Sequence, residues 1–136
     1  MVKKIVRDPL FLRQKSVPAT EADRQTITDL LDTLKANQDR CVGMAANMIG
    51  VKKRILVVAM GPFMFPMVNP VITKKAGRYE TEEGCLSLDG VRPCIRWQEI
   101  EVDYLDQEFM IKHGKYSGFT AQIILHEMDH FEGILI

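Results

Sequence analysis

The segment His126-Glu127-Met128-Asp129-His130 joins residue types and spacing that could do chemistry. Two histidines at i and i+4 lie one turn apart on one helix face, so both imidazoles can reach a single metal ion. Glu127 adjoins the first histidine and can reach a metal-bound water as a general base. A catalytic metal site usually takes three protein ligands and keeps a position open for water. Downstream of His130 only Glu132 could bind, and a residue two positions on points off the ligand face. The third ligand is therefore sought upstream, among His113, the cysteines and the carboxylates. Cys85, within Glu83-Gly84-Cys85-Leu86-Ser87, is the attractive candidate, because Gly84 permits an unusual backbone and a thiolate is a strong ligand for a borderline or soft divalent metal. His113, Cys41 and Cys94 read as surface or packing residues. The competing explanation of the histidine pair is an amphipathic helix with incidental histidines.

These side chains need elements to hold them. The motif sits on a helix expected from about Ser117, a plausible N-cap, to Phe131, with Gly133 as the stop. A second helix is expected over 20–37, capped by Thr20, with Ile27, Leu30, Leu31 and Leu34 on one buried face. Asp8-Pro9 and Val17-Pro18 read as extended or turn segments. The small, apolar, glycine-flanked run from Cys41 to Gly50 reads as a buried loop or strand. Residues 54–60 read as a buried strand, and 67–73 as an edge or bulged strand because Pro70 cannot donate to a ladder. Residues 97–105 alternate as a half-exposed antiparallel strand, with 109–111 as a partner and His113-Gly114-Lys115 as a turn. The order helix, strands, helix argues an α+β fold with a mainly antiparallel sheet. The 136 residues are expected to form a single domain, 1–136.

Three motifs in order, Gly43-Met44-Ala45-Ala46-Asn47-Met48-Ile49-Gly50, Glu83-Gly84-Cys85-Leu86-Ser87 and His126-Glu127-Met128-Asp129-His130, together with Val68-Asn69-Pro70, resemble those of the peptide deformylases. The resemblance covers most of the chain, and it implies mainly antiparallel sheets packed around the C-terminal helix that bears the two histidines. It implies that Cys85, His126 and His130 bind one divalent metal, natively Fe2+, with Zn2+, Ni2+ or Co2+ as substitutes. It also implies removal of the formyl group from N-formylmethionine at the start of nascent peptides, releasing formate. Glu127 would take a proton from the water and deliver it to the leaving amine. The backbone N–H of Leu86 would stabilise the oxyanion, with Asp129 in a supporting or packing role. Val42, Gly43, Phe119 and Ile123 would line the substrate cleft. The first motif departs from the family where its glutamine, a donor to the formyl oxygen, falls at Met48, since a thioether cannot donate. Asn47 next door carries an amide and is the candidate replacement.

The alternatives are a catalytically impaired metal-binding relative, a hydrolase of a different small amide, and a metallopeptidase of the short zinc-binding kind. The last usually takes its third ligand downstream of the helix, where few residues remain. Eighteen Lys+Arg cancel eighteen Asp+Glu, so charge gives no case for a nucleic-acid partner or an anionic membrane. No apolar run is long enough for a transmembrane helix, and the charged, Pro-broken start lacks the apolar stretch of a signal peptide. A cytoplasmic enzyme that meets peptides near the ribosome exit region is expected. Arg92 and Arg96 could hold the peptide or face solvent.

Overall fold

The computed structural model describes residues 1–85 and 88–135. In chain order it contains α1 (Pro9–Leu12), α2 (Arg24–Ala36), β1 (Gly43–Ala45), β2 (Ile55–Met60), β3 (Phe63–Cys85), β4 (Leu88–Leu105), β5 (Ile111–Ser117) and α3 (Gly118–Phe131). Short 3-10 turns at Glu21–Asp23 and Ala46–Ile49 lead into α2 and follow β1. The strands form one antiparallel five-stranded sheet in the order β1-β2-β3-β4-β5, so the fold is α+β as expected. Among the described residues no helix is long and apolar enough to cross a membrane.

The sheet is apolar on both faces in its first strands because a helix covers each. Ile55 and Val57 of β2 join Ile27, Leu30 and Leu34 of α2 in one cluster. Leu56 and Val58 point the other way, into a second cluster with Ile123, Ile124 and Phe131 of α3. Alternate strand residues face opposite sides, which explains why β2 reads as a continuous apolar run rather than an alternating one. The Thr20 N–H is bonded to the Asp23 carboxylate at 2.9 Å, which fixes the entry to α2.

β3 and β4 together form a long ribbon. Phe63–Val68 at the start of β3 pair with β2, and the longer remainder pairs only with β4, out to Cys85. The register shifts between Val68 and Val71 and again between Ile72 and Lys74. Such bulges bend a strand, and Pro70 sits in the first of them, where its missing N–H breaks no regular ladder. The ribbon thus carries Cys85 away from the middle of the sheet and toward α3.

Two local expectations are corrected. His113-Gly114-Lys115 is strand, not turn: it lies within β5, opposite Asp103, Val102 and Glu101. The chain reverses earlier, where the Asp106 carboxylate accepts the Glu108 and Met110 N–H groups at 2.9 and 3.0 Å and Phe109 takes φ 61°. Gly114 serves side-chain packing there, since an added Cβ would lie 2.5 Å from the Tyr116 hydroxyl. Asp8-Pro9 starts the short helix α1, with the Asp8 carboxylate capping the Leu10 N–H at 3.0 Å and Pro9 in the first turn, where its missing donor costs nothing.

Candidate metal centre and active-site cleft

Cys85 at the end of β3 meets His126 and His130 of α3. The Cys85 Sγ is 3.4 Å from His130 Nε2, and the two histidine Nε2 atoms are 3.2 Å apart. The three ligand atoms all lie within 4.8 Å of one another. A tetrahedral metal with bonds near 2.0–2.1 Å to nitrogen and 2.3 Å to sulfur needs donors about 3.3–3.6 Å apart. Both measured separations approach that spacing. His126 and His130 are buried and Cys85 is half-buried.

Alternation along β3 places Glu83 on the same strand side as Cys85. The Glu83 Oε1 accepts the His126 Nδ1–H at 2.7 Å. In the neutral, metal-binding form that bond sets the tautomer and turns the Nε2 lone pair toward the other two candidate ligand atoms. Arg96 of β4 donates to both Glu83 oxygens, the shortest contact being 2.7 Å from Nη2, and to Asp129 Oδ2 at 2.8 Å from Nη1. Gln122 donates from Nε2 to Glu83 Oε2 at 2.7 Å. Burial opposes the charge on Glu83, yet the bonds from His126, Arg96 and Gln122 outweigh it and hold the carboxyl down at about 2. Arg96 is only 3 % exposed, so it neither faces solvent nor reaches into the cleft as a peptide anchor.

Glu127 is buried, and its Oε1 has no hydrogen-bond partner among the described residues. It lies 3.8 Å from His130 Nε2. Burial pushes the Glu127 carboxyl up to about 7, against the attraction of His126. A group with that value can accept and return a proton near neutral pH. Without a metal, burial opposes the His126 charge, yet the bonds to Cys85 and Glu83 raise His126 to about 10, and for His130 burial followed by that neighbouring charge lowers the pKa to about 3. A neutral imidazole is the form that binds metal.

A cleft opens in front of Glu127 and Cys85, walled by Val42, Gly43, Met48, Phe119, Gln122 and Ile123. Val42 and Phe119 are exposed at its rim, whereas Ile123 and Met48 are buried. Asn47 does not belong to this wall. The expectation that its amide faces the substrate is not met, because Nδ2 donates to the backbone carbonyl of His130 at 3.1 Å in the buried interior. Adjacent residues in such a segment point in different directions, and here Met48 takes the cleft side. Its sulfur accepts the Ala45 N–H at 3.5 Å. Leu86 lies outside the described residues. His113 stays on the exposed sheet face, bonded to Asp103 and Glu101.

Gly43 is required by the approach of α3. An added Cβ would lie 2.5 Å from Ile123 Cγ2 and 3.1 Å from Glu127 Oε2. Gly43→Ala must push the helix or displace Glu127, so a stability loss of about 1–3 kcal/mol is expected. Urea unfolding together with initial rates checks this, and both should fall.

Glu83, Arg96 and Gln122 are the site residues that sequence reasoning missed. Period-two spacing from Cys85 is a signal that could have marked Glu83. Nothing local marks Arg96, whose partners come from β3 and α3.

The polypeptide deformylase family model matches residues 2–136. A peptide deformylase of Clostridium beijerinckii is 62 % identical over 136 residues, covering all of both chains. The crystal structure of a peptide deformylase from Legionella pneumophila has a TM-score of 0.88 at 32 % identity, covering 99 % of this chain and 83 % of that one. A class I type b peptide deformylase from Acinetobacter baumannii, crystallised with Met-Ala-Ser bound, also reaches 0.88, at 26 % identity over 99 % of this chain and 97 % of that one. With a match that runs from end to end and a thiolate–imidazole donor set beside a buried glutamate, the chain belongs to the polypeptide deformylase family, a family of metal-dependent amide hydrolases.

Proposed function

We propose that this chain hydrolyses the formyl amide of N-formylmethionyl peptides, releasing formate and a free amino terminus. The observation that carries the reading is the unpartnered Glu127 Oε1 beside the Cys85, His126 and His130 donors at the floor of the cleft.

Cys85, His126 and His130 would hold one divalent metal, and a thiolate with two imidazoles suits a borderline ion such as Fe2+. Such a metal supplies Lewis-acid polarisation and lowers the pKa of water. Glu127 takes a proton from the attacking water at its free oxygen and returns it to the amine nitrogen as the C–N bond breaks. Glu83 holds His126 in the tautomer that leaves Nε2 free, and Arg96 holds Glu83. Met48 offers no N–H and Asn47 is turned toward the helix end. By resemblance to the family, the backbone N–H of Leu86 would donate to the oxyanion. The side chain of the formylated residue branches one bond from the amide nitrogen being cleaved. It must therefore lie against the wall formed by Val42, Phe119 and Ile123, with Gly43 admitting the peptide backbone.

The relative crystallised with Met-Ala-Ser supports a substrate beginning with methionine. We place the enzyme in the cytoplasm, acting on chains that emerge near the ribosome exit region. Purification without oxygen, metal analysis and a formate-release assay on formyl-Met-Ala test the reading. About one metal per chain and formate release are expected. A metal-loaded protein that releases no formate, and gains none on Met48→Gln, overturns it.

A further inference from the structure

We propose that Gln122 determines side-chain specificity, its amide N–H reading the sulfur of the substrate's first residue. The proposal rests on the deformylase reading above. The wall beside the donor triad is apolar at Val42, Met48, Phe119 and Ile123, and Gln122 interrupts it with a primary amide. Gln122 lies one turn before His126 and one residue from Ile123, so it stands in the part of the cleft that must receive the first side chain. Gln122 is half-buried, so its amide keeps access to the cleft.

One polar atom of that amide is engaged within the protein. Nε2 gives one N–H to Glu83 Oε2 at 2.7 Å, which also fixes which end of the amide is nitrogen. A primary amide has two N–H groups. The second has no partner among the described residues, and it diverges from the Glu83 bond. Because Glu83 is a carboxylate held by Arg96, it keeps the amide in one orientation. Other side-chain donors on the cleft wall are committed or peripheral. Arg40 is exposed at the rim and donates to Asn37 Oδ1 at 3.1 Å. His126 spends its Nδ1–H on Glu83. The remaining Gln122 N–H therefore matches a side chain that is flexible, apolar along its stem and a weak acceptor near its end. A thioether has that chemistry.

Norleucine copies the shape of methionine without the sulfur, so formyl-Met-Ala and formyl-norleucine-Ala form the deciding pair. The metal-loaded protein should favour the methionine substrate about three- to tenfold in kcat/KM, the scale of one neutral hydrogen bond. Gln122→Leu should bring the ratio close to unity, chiefly through KM. The ratio is taken within each protein, so any loss of metal or of Glu83 orientation in the variant cancels. Equal kcat/KM for both substrates in the unaltered protein overturns the inference while leaving the deformylase reading standing. A methionine preference that survives in Gln122→Leu also overturns it. Formate from neither substrate overturns the deformylase reading itself.

Discussion

Glu127→Gln is expected to keep the fold and the metal while lowering the rate of formyl-peptide hydrolysis about 10²- to 10⁴-fold. Glutamine has nearly the same shape, and Glu127 touches no described donor through Oε1, so little packing changes. What disappears is the atom that can hold a proton between water and the leaving nitrogen. The loss should appear in kcat, with KM little altered and metal content unchanged. A second readout follows from the same burial. In the metal-free protein the carboxyl is raised from 4.5 to about 7. The folded state then binds more protons than the unfolded one between those values, so stability falls as pH rises through that window. The rise corresponds to about 3 kcal/mol. Glu127→Gln should remove that contribution, and the difference in urea midpoints between the two proteins from pH 4.5 to 8 measures it. A variant with normal rates, or one that loses its metal along with its activity, would refute the proton-carrier role.

Arg96→Leu carries the largest expected loss of stability. The guanidinium is 3 % exposed and bridges Glu83 to Asp129. Removing one partner of a buried pair leaves the other charge uncompensated, at about 3–5 kcal/mol. Among the described residues Glu83 would keep His126 and Gln122 as close partners, neither of which carries a fixed positive charge. Since Glu83 also orients a ligand, metal affinity should fall about 10- to 100-fold in the variant. The pH dependence has the opposite sign to that of Glu127. With Glu83 held at about 2, its contribution is present above 4.5 and is lost as pH falls toward 2. Arg96→Leu should therefore move acid unfolding to higher pH. Unfolding within 1 kcal/mol of the unaltered protein, as an order-of-magnitude bound on surface changes, would show that the bridge contributes nothing.

The difference between Glu127 and Arg96 marks what the sequence discloses. The His126–His130 spacing, the helix that bears it, its start after Ser117 (whose side chain makes no capping bond) and the Gly133 stop are all local signals, and local physics decides them. The α2 face and the β2 run are legible for the same reason. The pairing of Arg96 with Glu83 and Asp129 depends on how a bulged ribbon folds back against α3, which no short window encodes. The full extent of β3 and β4 was hidden too. In their outer stretches the inward positions are taken by residues such as Thr81, Glu83 and Arg96, so the sequence lacks the apolar–polar alternation that marks a half-buried strand. Gly114 read as turn punctuation and turned out to make room for Tyr116. Asn47 shows the limit at single-residue scale: an amide next to Met48 cannot be aimed from sequence, and the backbone sends it to the His130 carbonyl.

The placement of Cys85 at the far end of a ribbon and of His130 on the last helix has a further consequence. The two ligands are 45 residues apart in sequence, and no disulfide joins any of the cysteines. An ion gripped by both in the folded chain, and released on unfolding, would join the sheet to the helix and stabilise the native state by mass action. Metal availability would then set the lifetime of the folded enzyme as well as its turnover, and a chain stripped of its ion would be the one most exposed to proteolysis.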